Sequence, residues 1–197
     1  MTRSEDTRER ILRTAEDLFA RRGYDATGVA EICAQAGLSK GAFYHHFPSK
    51  QAVFLALLQQ WLAGLDVELE RARAGAPSVP EQLQRMAGVA GQVLRAGSGQ
   101  LPLFLEFWTQ AAHDPSVWAA TIEPYHRYRA YFADLIRAGI AEGSLEGLEP
   151  VAAAQILLSL ALGLVLQGLL DPQGADWGGV ARQGMAAFLR GLARGEG

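Results

Sequence analysis

The stretch from Thr27 to Lys50, TGVAEICAQAGLSKGAFYHHFPSK, leaves this chain few arrangements. It reads as two short helices joined by a tight turn and followed by the start of a third. Thr27 is placed as the N-cap of the first, its hydroxyl accepting from the free amides of the opening turn. Val29, Ile32, Cys33 and Ala36 fall within about 100° of one another at ~100° per residue, which makes one apolar stripe. Gly37 supplies the positive φ of a sharp helix end, Leu38 plugs the corner, and Ser39 caps the next helix, Lys40 to His46. There Phe43 and Phe47, four residues apart, share an inward face. Gly41, Tyr44 and His45 point the other way, with Ala42 beside them and Lys40 at the N-terminal end. A cation, a phenol, an imidazole and two small residues on one face suit a helix that enters a DNA major groove, because small residues let the backbone approach and the donors reach base edges and phosphates. Lys50 adds a further phosphate contact at the start of the following helix.

The run SKGAFYHHFPSK, with Ala36-Gly37-Leu38 and Thr27 ahead of it, resembles the tetracycline-repressor (TetR) family of bacterial transcriptional regulators. The specific part of the likeness covers about residues 7–55; beyond it only the helical pattern agrees. Carried over by position, the resemblance puts the DNA contacts on Thr27, Lys40, Gly41, Ala42, Tyr44, His45, His46 and Lys50, beside the capping Ser39. It implies that Lys40, Gly41 and Ala42 lie nearest the bases and that Tyr44, His45, His46 and Lys50 hold phosphates. Two departures stand out: Ala42, where a larger or hydroxylated residue is common, and Gln51 after the lysine. Ala42 removes one polar base contact, although its methyl can meet a thymine methyl.

The remaining chain reads as helices throughout, so the fold class is all-α with about nine helices. A loose arm (1–6) precedes a first helix starting near Thr7, whose Ile11, Leu12, Ala15, Leu18 and Phe19 form a stripe and which Gly23 ends. Pro48 and Ser49 open a fourth helix, Lys50 to about Arg73, roughly 36 Å long. It links a three-helix head (1–49) to a helical regulatory domain (50–197). Ser78-Val-Pro-Glu81 is a capping-box pattern opening a fifth helix to about Arg95. Asp114-Pro115 opens the seventh, and Pro124 inside it predicts a kink or a break near Thr121. The eighth starts at Pro150 and the ninth spans Trp177 to about Arg194.

Residues 151–170 carry no charge over a length that matches a membrane span. Gln155, Ser159, Gln167, the many alanines and the lack of flanking Lys or Arg favour a helix covered by protein on every side. The resemblance implies the same, a homodimer formed through about 150–170 and 177–194, with Ala186, Phe188, Leu189 and Leu192 at the contact and no membrane.

Composition excludes several classes. Hydrophobic content of 49% with 20% charged residues suits a globular chain. The net charge is −3, with eight Lys/Arg against seven Asp/Glu in residues 1–50, so any attraction to DNA is local. One cysteine, Cys33, excludes a disulfide framework or a multi-cysteine zinc site. The charged start MTRSEDTRER is not a signal peptide, which makes a cytoplasmic location the expectation. No nucleophile elbow, phosphate loop or HExxH is present, and His45 and His46 project about 100° apart on a helix, so neither an enzyme nor a metal site is expected, and no cofactor.

A small-molecule site is the remaining expectation. Trp61, Phe104, Phe107, Trp108, His113, Tyr125, Tyr128 and Phe132, with Trp118 among them, concentrate aromatic surface of the kind that lines such sites. The resemblance implies a ligand-released repressor, with an activator or a corepressor-dependent regulator of the same fold left open. The ligand is expected to be small and largely apolar; Glu106, Asp114 or Glu123 near aromatic faces would suit a cation, Arg127, Arg129 or His126 an acyl or other anionic group, and the regulator it releases is expected on a quasi-palindromic operator in double-stranded DNA.

Overall fold

The computed structural model describes residues 3–96, 101–147 and 149–192, without the side chains of 3, 90–96, 101, 102 and 104. These residues form nine helices: α1 (Arg3–Arg22), α2 (Val29–Ala36), α3 (Lys40–His46), α4 (Lys50–Arg73), α5 (Val79–Ala96), α6 (Leu101–Ala111), α7 (Pro115–Ala141), α8 (Pro150–Leu170) and α9 (Trp177–Leu192). The all-α reading holds. The first helix begins four residues earlier than Thr7, because Glu5 and Asp6 favour its positive N-terminal end. α7 runs unbroken through Pro124, whose ring removes only one backbone donor from a long helix.

The chain divides into two compact units, residues 1–64 with 98–121 and residues 65–97 with 122–197, so that α4 and α7 each contribute to both. In the first unit the stripe of α1 (Ile11, Leu12, Ala15, Leu18, Phe19) is buried against Ile32, Cys33, Phe43, Phe47, Val53, Phe54, Leu57 and Leu58. Phe54 is at the centre, its ring 5.7 Å from Phe19, 4.6 Å from Tyr24 and 4.2 Å from Phe107. Leu103, Phe107, Ala111 and Val117 complete this core, so α6 and the start of α7 pack with the head. The second unit buries Leu69, Val79, Leu83, Met86, Leu135, Ile136, Leu145, Ala153, Leu157 and Leu192. Leu192 therefore belongs to that unit's own core, and Phe188 and Leu189 pack against it. This corrects the expected place of Leu192 alone; Phe188 and Leu189 are only partly buried.

Two helices, α4 and α8, are long and apolar enough to cross a membrane by length and composition. α4 supplies buried residues to both cores. α8 buries Ala153, Ala154, Leu157 and Gly168 and exposes Val151, Ile156, Leu160, Leu166 and Leu170.

Candidate DNA-reading face and ligand-contact residues

The turn between α2 and α3 sets the aim of α3. Gly37 sits at φ 63°, and the amide of Leu38 reaches back 2.9 Å to the Cys33 carbonyl, which closes α2 in a Schellman-type end. Ser39 then caps α3, its Oγ accepting from the Ala42 amide at 3.1 Å. Phe43 is fully buried and Phe47 nearly so, and these two rings pin the helix to the core. The opposite face carries Lys40, Gly41, Tyr44 and His45, all exposed, with Ala42 and His46 half-buried. Tyr44 is 53% exposed, a large aromatic left in solvent at the middle of the face.

Thr27 departs from its expected place, and Lys50, which opens α4 as expected, makes a contact that its sequence position does not show. Thr27 is fully buried and is not the cap of α2, which is Gly28. Its hydroxyl donates to the Gly23 carbonyl at 2.9 Å, and its amide to the Tyr24 carbonyl at 3.2 Å. A buried hydroxyl needs a partner, and the nearest acceptors are those at the end of α1. The Lys50 ammonium donates to the Tyr24 carbonyl at 2.7 Å and lies 4.0 Å from the centre of the Tyr24 ring. Burial lowers its pKa, opposed by Asp25 and Glu106. One of its three donors is thus turned toward the head.

A second set of polar contacts joins the first turn of α4 to the start of α7. Asp114 Oδ1 accepts from the amides of Ser116 (2.8 Å) and Val117 (3.2 Å) and so caps α7. The other oxygen accepts from Gln51 Nε2 at 2.7 Å, on the first turn of α4. The Ser116 hydroxyl and these amides hold the Asp114 carboxyl below its usual range. Sequence reading found the cap but not the bond to Gln51, since two residues so far apart in the chain leave no local signal.

Comparison with known proteins fits this geometry. Residues 11–57 match the model for bacterial regulatory proteins of the tetR family, and residues 81–194 match the C-terminal region of BetI-type transcriptional repressors. The chain belongs to the TetR family. This TetR-family protein is a ligand-responsive, DNA-binding regulator of transcription. It is 24% identical over 192 residues to the Escherichia coli regulator UidR, covering 97% of this chain and 91% of UidR. It is 44% identical to the Bacillus subtilis regulator YerO over 57 residues, which span only 20% of that protein. A transcriptional regulator from Saccharomonospora viridis, solved in complex with choline, superposes with a TM-score of 0.80 at 25% identity, over 96% of this chain and 99% of that one.

The candidate ligand residues of this TetR-family regulator divide between the two units. Trp61, Phe107, Trp108 and His113 belong to the first, and Tyr125, Tyr128 and Phe132 to the second. Phe107 is buried against Phe54, and Trp61 is half-buried against the same core. Trp108 is 46% and Trp118 52% exposed, and His113 is exposed in the turn after α6. The Tyr125 phenol pairs with the Gln155 side chain. The Tyr128 phenol donates to Asp66 Oδ1 at 2.7 Å, while Arg127 holds Asp66 Oδ2 at 2.7 Å. Burial, then the bond to Asp66, raises the Tyr128 pKa well above the usual phenol. Phe132 packs on the second core. Phe104 lies outside the described side chains.

Proposed function

We propose that the protein is a homodimeric repressor that a small, largely apolar molecule releases from a quasi-palindromic operator. The observation that carries the DNA-reading part is the exposed face of α3, with Lys40 and Tyr44 in solvent and Phe43 buried behind them. Lys40, Gly41 and Ala42 read base edges; Ser39, Tyr44, His45, His46 and Lys50 hold the backbone. Thr27 contributes by fixing the end of α1 rather than by touching DNA. Residues 1–49 form the reading domain and 50–197 the regulatory one, in a cytoplasmic protein.

The exposed Ile156, Leu160, Leu166 and Leu170 of α8 support dimerisation, since they leave apolar surface that a second copy covers without any need for lipid. The ligand contacts are assigned to Trp61, Phe107, Trp108, Tyr125, Tyr128 and Phe132, with Phe104 and His113 as further candidates. A second reading, a cationic ligand, is favoured by the choline held by the Saccharomonospora viridis regulator and by the aromatic faces of these residues. Binding of one ligand shifts the DNA equilibrium only by its differential affinity for the two states.

Selection of the purified protein against random duplex DNA tests this reading. The expected product is a palindrome whose half-sites lie about one helical turn, ~34–36 Å, apart or a near multiple. Absence of any enriched sequence at low salt overturns the plain repressor and leaves a corepressor-dependent regulator. Displacement of the selected duplex by choline, set against a long-chain fatty acid, separates the two ligand readings.

A further inference from the structure

The reading face is short of fixed positive charge. Lys40 is exposed on α3, but the Lys50 ammonium is turned partly onto the Tyr24 carbonyl and ring. Of the arginines of α1, Arg21 pairs with Asp17 and Arg22 with Glu31. Arg8 is exposed and has no ion pair among the described residues. Its Cζ lies 5.1 Å from the centre of the Phe47 ring, and Phe47 is the C-cap of α3. A guanidinium over a ring leaves its N–H donors free for other partners, and such a fork of donors can grip a phosphate through two parallel bonds. Position and chemistry therefore agree: a cation with donors to spare stands beside the end of the reading helix that carries Tyr44, His45 and His46.

We propose that Arg8 is a phosphate-binding residue of the reading face, holding the DNA backbone at the C-terminal end of α3. This rests on the DNA-reading role proposed above. Arg8 carries no base readout, so it sets affinity and register and leaves sequence preference to Lys40, Gly41 and Ala42.

Fluorescence anisotropy of the full chain on the selected duplex and on a scrambled duplex of equal length, across a salt series, tests the assignment. Arg8→Met keeps an apolar stem over Phe47 and removes the charge. It is expected to make the plot of log K against log salt shallower by about 0.9 per bound head. It should also weaken both duplexes by the same factor and leave the melting temperature at the wild-type value. Arg8→Lys is expected to restore the slope. A wild-type slope in Arg8→Met overturns the proposal. So does a melting temperature that falls together with the affinity in both variants, which assigns Arg8 to packing. A wild-type protein that retains neither duplex overturns the plain repressor reading and this assignment with it.

Discussion

Phe43 and Tyr44 are neighbours in the chain with opposite roles, and that contrast is the sharpest test at the scale of single residues. Phe43 is fully buried beneath α3, so Phe43→Ala leaves a cavity and should cost ~3–5 kcal/mol in urea unfolding. Tyr44 stands 53% exposed, so Tyr44→Ala should leave unfolding close to wild type and weaken retention of the selected duplex. Unfolding of Tyr44→Ala at a much lower urea concentration would show that the outward face is wrongly placed. Both faces were legible in the sequence, because the four-residue spacing of Phe43 and Phe47 leaves little choice about which side turns inward. Thr27 was not. A threonine before a helix has the chemistry of a cap, but here the α1 carbonyl at Gly23 takes its hydroxyl instead.

The same competition between local and distant partners runs through the helical elements. Ser39 caps α3 from its own sequence position, and Ser39→Ala should cost ~1 kcal/mol in thermal unfolding. α8 is capped by Glu149, whose carboxylate accepts from the Val151 and Ala152 amides at 3.0 and 2.9 Å. α5 takes a partner from far along the chain: the Val79 amide donates to Glu142 Oε1 at 2.9 Å. Asp114 joins both kinds, capping α7 and holding Gln51. Its folded pKa lies below the unfolded one, so its contribution is present above the ordinary carboxylate value of about 3.9 and is lost as the pH falls through the lower folded value. Asp114→Ala should therefore melt below wild type at neutral pH, with the gap closing on acidification. Equal gaps at both pH values would remove the ionised cap from the account. Gly139 in α7 is a packing case: a Cβ there would meet Leu145 Cδ1 at 2.5 Å and Val79 Cγ1 at 3.1 Å. Gly139→Ala should lower stability by ~1–3 kcal/mol through overpacking, measured by urea unfolding.

At the scale of the whole molecule, α8 makes the prediction. Its mean hydropathy of 2.0 goes with only 28% burial within one chain, which leaves much apolar surface to be covered. Ile156→Arg should convert a dimer to a monomer in light scattering and abolish the preference for a two-half-site duplex over a single half-site. A protein that is monomeric before the substitution overturns the α8 contact. The wholly buried Leu192 would not serve for this test, since its loss unfolds the second unit's core rather than opening a contact between copies.

Sequence alone determined the helix class, the α2–α3 turn, the inward and outward faces of α3 and the opening of α7, because each depends on residues within a turn or two of one another. A glycine at positive φ, a serine three residues before the amide it caps and a proline at a first helical position act locally, wherever the helix finally packs. Tertiary structure decided the rest. It took Thr27 inward, turned one Lys50 donor onto Tyr24, joined Gln51 to Asp114, set Arg8 on Phe47 and placed α6 and the start of α7 with the head. Each of these outcomes depends on which of several chemically adequate partners the packed core brings within about 3 Å of a hydrogen-bonding group or within van der Waals reach of a ring, and the linear order of residues does not encode that distance.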